Sequence, residues 1–88
     1  EQYMPRIING DYNNLVGRQV RHFRKKRKLS QKQLSEKLET MAIYICRGSI
    51  SRIEDGSRTV TDIELYGLAT ILGTSIESLF PANLTKSK

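Results

Sequence analysis

Two arginines near the middle of the chain have the chemistry and spacing to read a nucleic acid. Ile50 and Ile53 repeat at helical spacing and are predicted to face inward. The opposite side of that helix then presents Arg47, Gly48, Ser51 and Arg52. Arginine can hold the O6 and N7 atoms of guanine with two parallel hydrogen bonds, and the major groove of B-DNA, about 12 Å wide, admits one helix. We therefore predict that this helix reads base edges.

Other roles stay open for these outward positions. Arg47 could be a plain surface residue, and Arg52 could form an internal ion pair with Glu36 or Asp55. Gly48 allows DNA to approach the helix backbone closely, but without a side chain it cannot recognise a base. Glycine also weakens a helix by about 1 kcal/mol relative to alanine. The residues of this helix alone do not show what compensates for that loss.

The sequence offers little material for catalysis or metal binding. Its one cysteine, Cys46, and its one histidine, His22, are too few for a zinc site. It has no phosphate-binding glycine loop and no paired carboxylates in an apolar setting. We therefore expect no enzyme, no cofactor, no metal and no small-molecule substrate. We interpret Cys46 as the replacement of a helix-capping serine, with a redox-sensing thiol as the alternative.

The charge distribution favours an anionic partner. The 88 residues suit one small domain and carry a formal net charge of +6. The stretch 18–58 holds 12 basic and 4 acidic residues, whereas the rest of the chain is mildly acidic. Nucleic acid and an acidic membrane surface both fit such a segment. No apolar run approaches the ~18 residues of a membrane span and no signal peptide is visible, so we expect a cytoplasmic protein without a membrane partner.

The first part of the chain is predicted to be an arm followed by a basic helix. Residues 1–11 show no clear periodicity and are interpreted as flexible. Asn13 and Asn14 can cap a helix that runs to about Arg27, with one apolar stripe on its inner side. The basic run 24–28 is either a solvated helix end or a source of phosphate contacts.

Capping signals place the second helix and the turn that follows it. Ser30 with Gln33 forms a capping box that opens this helix. Its end is predicted between residues 39 and 42, and the turn after it is predicted to insert Ile45 into the core. Tyr44 in that turn is either a lid on the core or an aromatic side chain that faces DNA.

Two more helices follow from similar signals. The third is predicted to begin near Cys46 and to stop at Gly56, which is free to take a left-handed conformation. Thr61 with Glu64 forms a second capping box, and Gly73 closes the fourth helix that it opens.

A short fifth helix is predicted between Ser75, its cap, and Pro81, which closes it. Residues 82–88 are interpreted as a disordered tail. The predicted fold is thus all-α, a compact five-helix bundle that spans residues 12–81.

Three stretches of the chain together resemble the Cro/cI-type (XRE) helix-turn-helix family of phage and bacterial regulators. They are VGRQVRHFR (16–24) with LSQ (29–31), ISRIEDG (50–56), and LATILG (68–73) through to Phe80. The resemblance covers about residues 15–80 and implies the lambda-repressor-like fold. One departure is the longer connection at 39–45, which resembles a subgroup in which Ile-x-Ile precedes the third helix.

The resemblance also implies roles for individual residues. Arg47, Gly48 and Arg52 take positions that meet base edges. Members of the family hold a DNA phosphate at the start of the second helix, where free amides and the helix dipole attract an anion. The loop after the third helix flanks the groove on its other side. The candidate phosphate contacts are therefore Ser30, Gln31, Ser49, Arg58 and Thr59.

Arg24 and Glu54 match two positions of the family that form a salt bridge between the first and third helices. This resemblance implies that Arg24 faces inward, in contrast to the lysines of the same basic run. Gln31 could also be no more than a good first-turn residue of its helix.

These observations predict a sequence-specific regulator of transcription, a repressor, that binds double-stranded DNA with the helix at about 46–54 in the major groove. An antitoxin-like or other protein-interaction module with the same fold is the alternative, and Ile7 and Ile8 in the arm are its candidate apolar patch. A binder of anionic membranes ranks last, because the first helix has only the apolar stripe that its own core needs. Domains of this kind commonly act as homodimers on half-sites about 34 Å apart.

Overall fold

Residues 12–82 are described by a computed structural model and fold entirely into helices and connecting turns, with no strand in that range. Four α-helices are followed by one 3-10 helix. They are α1 Gly17–Lys26, α2 Gln31–Glu39, α3 Arg47–Glu54, α4 Asp62–Leu72 and the 3-10 helix Glu77–Leu79. The predicted all-α class is confirmed. The predicted arm at 1–11 and all but the first residue of the predicted tail lie outside the described residues.

The predicted short fifth helix is a 3-10 helix rather than an α-helix, so the described residues contain four α-helices and not five. The segment after α4 makes a single 3-10 turn, in which the Ser75 hydroxyl accepts from the Ser78 amide at 3.1 Å. Phe80 is already extended, with φ −90° and ψ 152°. The residue before a proline is pushed out of the α region, so Pro81 ends the turn before a second one can form.

One apolar core joins all of these elements. Its fully buried members come from every helix: Val20, Leu34, Leu38, Ile50, Ile53, Leu68, Leu72 and Leu79. Ile50 and Ile53 are completely excluded from solvent, as their spacing predicted. Burial of a side chain of this size contributes about 1.5–3 kcal/mol, so these two residues anchor α3 firmly to the other helices.

Side chains satisfy some of the free amides at the start of three helices. Both predicted capping boxes are present, at Ser30 with Gln33 and at Thr61 with Glu64. α1 is capped by Asn14, whose Oδ1 accepts from the amides of the two residues at 16 and 17, at 3.0 and 2.8 Å. Such caps contribute about 1 kcal/mol each and fix where each helix begins.

The longer connection between α2 and α3 is an ordered turn. Ala42 takes a left-handed conformation, with φ +61°, and the Ile43 amide then donates to the Leu38 carbonyl at 3.1 Å. Ile43 and Ile45 are buried, as predicted for Ile45, while Tyr44 between them is 74% exposed. Tyr44 is therefore no lid on the core.

α1 and α3 approach each other closely at one point. A Cβ added at Gly17 would overlap the backbone carbonyl of Ile53, so only glycine fits there. This contact places the start of α1 against the end of α3. None of the helices in the described part of the chain has the length and apolar character that a membrane crossing requires.

Candidate nucleic-acid interface

α3 presents one polar side to solvent. Its outward residues Arg47, Gly48, Ser51 and Arg52 are all exposed, whereas Ile50 and Ile53 on the opposite side are fully buried. The structure therefore brings all four predicted base-reading residues onto one accessible surface. A helix anchored on one side and polar on the other is the arrangement that entry into a major groove requires.

The two arginines of this surface have few competing partners. Arg52 Nη2 donates to the hydroxyl of Ser49 at 3.2 Å and forms no ion pair with Glu36 or Asp55 in the described residues. Within residues 12–82, no hydrogen bond or ion pair holds the guanidinium of Arg47. Both groups can therefore turn toward a ligand at little energetic cost.

Gly48 is not required by the packing of the protein itself. A Cβ placed there would meet only one atom within 4 Å, Arg52 Nη1 at 3.9 Å. Its φ is not in the left-handed region either. Because glycine weakens a helix relative to alanine, the fold alone does not explain this choice. The missing side chain leaves open space on the exposed side of α3, where another molecule can approach the backbone.

The N-terminus of α2 lies beside the end of α3. Ser30 is exposed, and its hydroxyl accepts from the Gln33 amide at 3.0 Å. Gln31 is half-buried, and its Nε2 donates to Glu54 Oε1 at 3.0 Å. The first amides of a helix have no partner within the helix and carry a partial positive charge, so this end is able to hold an anion.

The ion pair implied between Arg24 and Glu54 is present and buried. Arg24 Nε lies 2.6 Å from Glu54 Oε2, and Nη2 donates to Oε1 at 3.0 Å. The side chains are only 9% and 5% exposed. Arg24 Nη1 also donates to the Leu29 carbonyl at 2.8 Å, so each charged group is well satisfied. Since Glu54 also binds Gln31, one carboxylate ties α1 and the start of α2 to the end of α3.

Arg58, a candidate phosphate contact, is engaged inside the protein. Its two terminal nitrogens donate to the two carboxylate oxygens of Glu64, each at 3.0 Å, and Nη1 also donates to the Thr59 carbonyl. These hydrogen bonds hold the pKa of Glu64 below its ordinary value. Thr59 is exposed in the same loop. The structure thus brings the loop to the surface but turns the Arg58 side chain toward α4.

The basic run 24–28 divides into two kinds of residue. Besides Arg24, Arg27 is used within the fold, since its Nε donates to the Leu72 carbonyl at 2.9 Å and stabilises the C-terminus of α4. Lys25, Lys26 and Lys28 are exposed. Only the lysines are therefore positioned as a solvated cationic surface.

Cys46 stands at the N-cap position of α3, as predicted, but its side chain does not cap the helix. The exposed thiol lies 3.4 Å from the Ser49 hydroxyl, and hydrogen bonding with Ser49 lowers the pKa of Cys46. Among the residues that the structure describes, no group of three His, Cys, Asp or Glu side chains is arranged to hold a metal.

A sequence model of the helix-turn-helix family matches residues 20–79, which include α2, α3 and α4. The chain belongs to the helix-turn-helix family. Because the match includes the second of the stretches that resemble XRE regulators, the third up to residue 79 and most of the first, the identification as an XRE-type helix-turn-helix domain is confirmed. A search of curated protein sequences finds no match.

Solved structures share this helix-turn-helix fold. The DNA-binding domain of BldD is 24% identical with a TM-score of 0.66, over 84% of this chain and 100% of that one. The restriction-modification controller protein C.AhdI from Aeromonas hydrophila is 28% identical with a TM-score of 0.67, over 82% and 100%. Hydroxypropylphosphonic acid epoxidase from S. wedmorenis is 22% identical with a TM-score of 0.68, over 83% of this chain but 36% of the enzyme. At such identities the BldD and epoxidase likenesses show the fold alone.

Two contributors to this helix-turn-helix surface were not recognised in the sequence. Glu64 was identified only as half of a capping box, and Asn14 only as a helix cap. Their second partners, the Arg58 guanidinium and the carbonyls of residues 53 and 58, become visible only when the chain is folded. The pairing of Arg58 with Glu64 has a local signal in the sequence, since Glu64 follows Arg58 by only six residues. For Asn14 the partners are 39 and 44 residues away, and no local pattern indicates them.

Proposed function

We propose that this domain is a regulator of transcription that binds double-stranded DNA and reads a preferred sequence with α3 in the major groove. The observation that carries the proposal is the two-sided character of α3. Ile50 and Ile53 are fully buried, while Arg47 and Arg52 on the other side are exposed and form no ion pair within the described residues.

In this proposal, base recognition comes from the N-terminal turns of α3. Arg47 and Arg52 each donate two hydrogen bonds to a guanine, and a good pair of this kind discriminates against a wrong base by about 1–3 kcal/mol. Ser51 is exposed between them and able to donate or accept. The space beside Gly48 lets the helix backbone lie close to the floor of the groove.

Phosphate contacts on either side of α3 set its position. At the start of α2, Ser30 and Gln31 frame the free amides that attract one phosphate. Thr59, exposed after α3, provides a contact on the other side, and Ser49 is partly exposed on the first turn of α3. Arg58 lies on the same side, but Glu64 neutralises its charge while the two remain bound, so its contribution is smaller than that of a free arginine.

We also propose that the domain acts as a repressor and as a homodimer. A protein that occupies the major groove excludes other proteins from the same site by steric overlap, which is the simplest route to repression. Two domains related by a two-fold axis would bind half-sites about one helical turn apart, about 34 Å. The selected duplex then carries an inverted repeat.

Selection of duplexes from a random pool, followed by titration at several salt concentrations, tests the proposal. We expect enrichment of a common motif and an affinity that falls steeply with salt, as phosphate neutralisation requires. An unenriched pool, or binding that is independent of salt, contradicts the proposed function.

A second candidate, a protein-interaction module, is favoured by two side chains on α4. Ile63 and Tyr66, one helical turn apart, are 66% and 59% exposed. If protein interaction is the main function, the double variant Ile63→Ser, Tyr66→Ser loses its association with a protein partner. In that case the random pool of duplexes also yields no common motif. A motif that is bound equally by the double variant and the unsubstituted chain supports the DNA-binding proposal.

A further inference from the structure

Asn14, at the entry to α1, uses one end of its side-chain amide at the start of α1 and the other to hold the end of α3. Its Oδ1 accepts from the amides of Val16 and Gly17, which caps α1. Its Nδ2 donates to the carbonyl of Ile53 at 3.0 Å and to that of Arg58 at 2.7 Å. Asparagine is suited to this double role, since it carries two acceptor sites and two donors on a short side chain.

Asn13 extends the same contact. Its amide donates to the Gly56 carbonyl at 2.7 Å, and its Nδ2 donates to the Ser57 carbonyl at 2.9 Å. Together the two asparagines bind four carbonyls at the exit from α3, those of Ile53, Gly56, Ser57 and Arg58. We call these four hydrogen bonds the asparagine clamp. The clamp spans the last turn of α3 and the loop that leads to Thr59.

The close approach of α1 to α3 fixes the geometry of the clamp. Gly17 packs directly against the Ile53 carbonyl, where a larger residue would collide with backbone. The clamp therefore adds four hydrogen bonds to a close contact between two helices, and these bonds oppose a tilt of α3 and a movement of the loop.

From these contacts we infer that Asn14, together with Asn13, is a positioning residue for DNA binding: the two asparagines touch no DNA themselves but fix α3 and the following loop relative to α1. The inference rests on the proposed DNA-binding function. Its physical basis is that recognition groups must be held within about 0.5 Å of their productive positions, and that a loop without its hydrogen bonds samples other positions.

The test compares Asn14→Ser with Gln19→Ala on the duplex selected by the unsubstituted chain. Serine still caps α1, because its hydroxyl accepts from helix amides, but it cannot donate to both carbonyls. Gln19 is the matched control, since its Nε2 also joins α1 to a distant carbonyl, that of Ser78 at 3.3 Å, away from α3. Circular dichroism at low temperature checks that each variant is folded.

We expect Asn14→Ser to bind about tenfold more weakly, as the loss of one to two hydrogen bonds that order the site would produce. We also expect its log–log salt slope to become shallower by less than one, because the displaced loop carries one cation, Arg58, and Glu64 already binds it. Gln19→Ala should keep the affinity and the salt slope of the unsubstituted chain. NMR shifts in Asn14→Ser should be concentrated at residues 53–60.

Full affinity and an unchanged salt slope in folded Asn14→Ser would overturn the inference, as would equal losses in the two variants. If Asn14→Ser does not fold, Asn13→Ala replaces it, since Asn13 is exposed and loses only its bond to Ser57. This milder variant should bind about threefold more weakly, and unchanged binding would again overturn the inference. Failure of the unsubstituted chain to select any duplex would instead overturn the proposed function, and the inference with it.

Discussion

Gln31 Nε2 and Glu54 Oε1 are joined by a hydrogen bond of 3.0 Å that connects the start of α2 to the end of α3. The same carboxylate holds Arg24 of α1 through two further hydrogen bonds. A residue proposed to meet a phosphate is therefore fixed by the residue that closes the proposed recognition helix. In the proposed complex, the buried Glu54 side chain would couple the phosphate contact of Gln31 to base reading by α3.

Loss of Glu54 should cost much more stability than loss of Arg58. Glu54→Ala leaves the buried guanidinium of Arg24 without its partner, which typically costs about 3–5 kcal/mol. Arg58→Ala removes a partly exposed ion pair and should cost about 1 kcal/mol or less. Urea unfolding of the two variants measures the difference. A larger loss for Arg58→Ala would contradict the central role of the Arg24–Glu54 pair.

Gly48→Ala should change stability and DNA binding in opposite directions. Alanine favours the helix, and since nothing blocks a Cβ at this position, the free energy of unfolding should rise by about 0.5–1 kcal/mol. Affinity for the selected duplex should fall if the α3 backbone lies close to the bases. Thermal unfolding measures the change in stability, and a duplex titration measures the change in affinity. If Gly48→Ala binds the duplex as tightly as the unsubstituted chain, the space beside Gly48 has no role in DNA binding.

Arg52→Ala and Gln31→Ala should affect recognition differently. Arg52→Ala should cost about 1–3 kcal/mol on the selected duplex and relax the preference at one position, because a base contact is lost. Gln31→Ala should weaken binding to all duplexes by a similar factor, since phosphates carry no sequence. Titrations on a panel of single-base variants separate the two patterns. Equal losses on every duplex for both variants would remove Arg52 from the set of base-reading residues.

Ala42→Gly should stabilise the domain. Ala42 ends the turn after α2 with φ +61°, a conformation that costs an L-residue about 1 kcal/mol and costs glycine almost nothing. Thermal unfolding should show a gain of up to about that size. Ala69→Gly inside α4 is the control and should destabilise, since glycine in a helix interior costs about 1 kcal/mol. A loss in Ala42→Gly would show that this turn does not have the left-handed geometry.

The Arg58–Glu64 pair should contribute to acid sensitivity. The hydrogen bonds from Arg58 lower the pKa of Glu64 from its ordinary value of 4.5 in the folded state. The stabilisation is therefore complete well above pH 4.5 and is lost as the pH falls through the lower, folded pKa. Glu64→Gln should lose less stability than the unsubstituted chain between neutral and acid pH. Parallel stability curves for the two proteins would exclude this contribution.

Much of the fold follows from local rules that agree with the tertiary structure. The two capping boxes fixed the starts of α2 and α4, and the spacing of Ile50 and Ile53 fixed which side of α3 is buried. The fifth helix was overpredicted, because Pro81 leaves too few residues for more than a 3-10 turn. These outcomes depend on neighbours in sequence, which is why pattern alone was informative.

The partners of the site residues were harder to predict, since they come from distant parts of the chain. Gln31 and Arg58 were assigned to phosphates because the resemblance to XRE regulators places the start of α2 and the loop after α3 beside the DNA backbone. Folding brings each of them to a carboxylate, Glu64 for one and Glu54 for the other. Their assignment to phosphates stays a prediction. In each case a DNA phosphate must either share the side chain with the carboxylate or displace that carboxylate.

The most direct test of base reading by α3 replaces single guanines of the selected duplex with 7-deazaguanine, which lacks the N7 acceptor. If Arg52 grips a guanine, one such replacement should weaken the unsubstituted chain by about tenfold and should leave Arg52→Ala, already weakened, unchanged. A matching position should exist for Arg47. If every replacement costs nothing, or costs the unsubstituted chain and the arginine variants the same factor, α3 does not read the major groove in the way proposed.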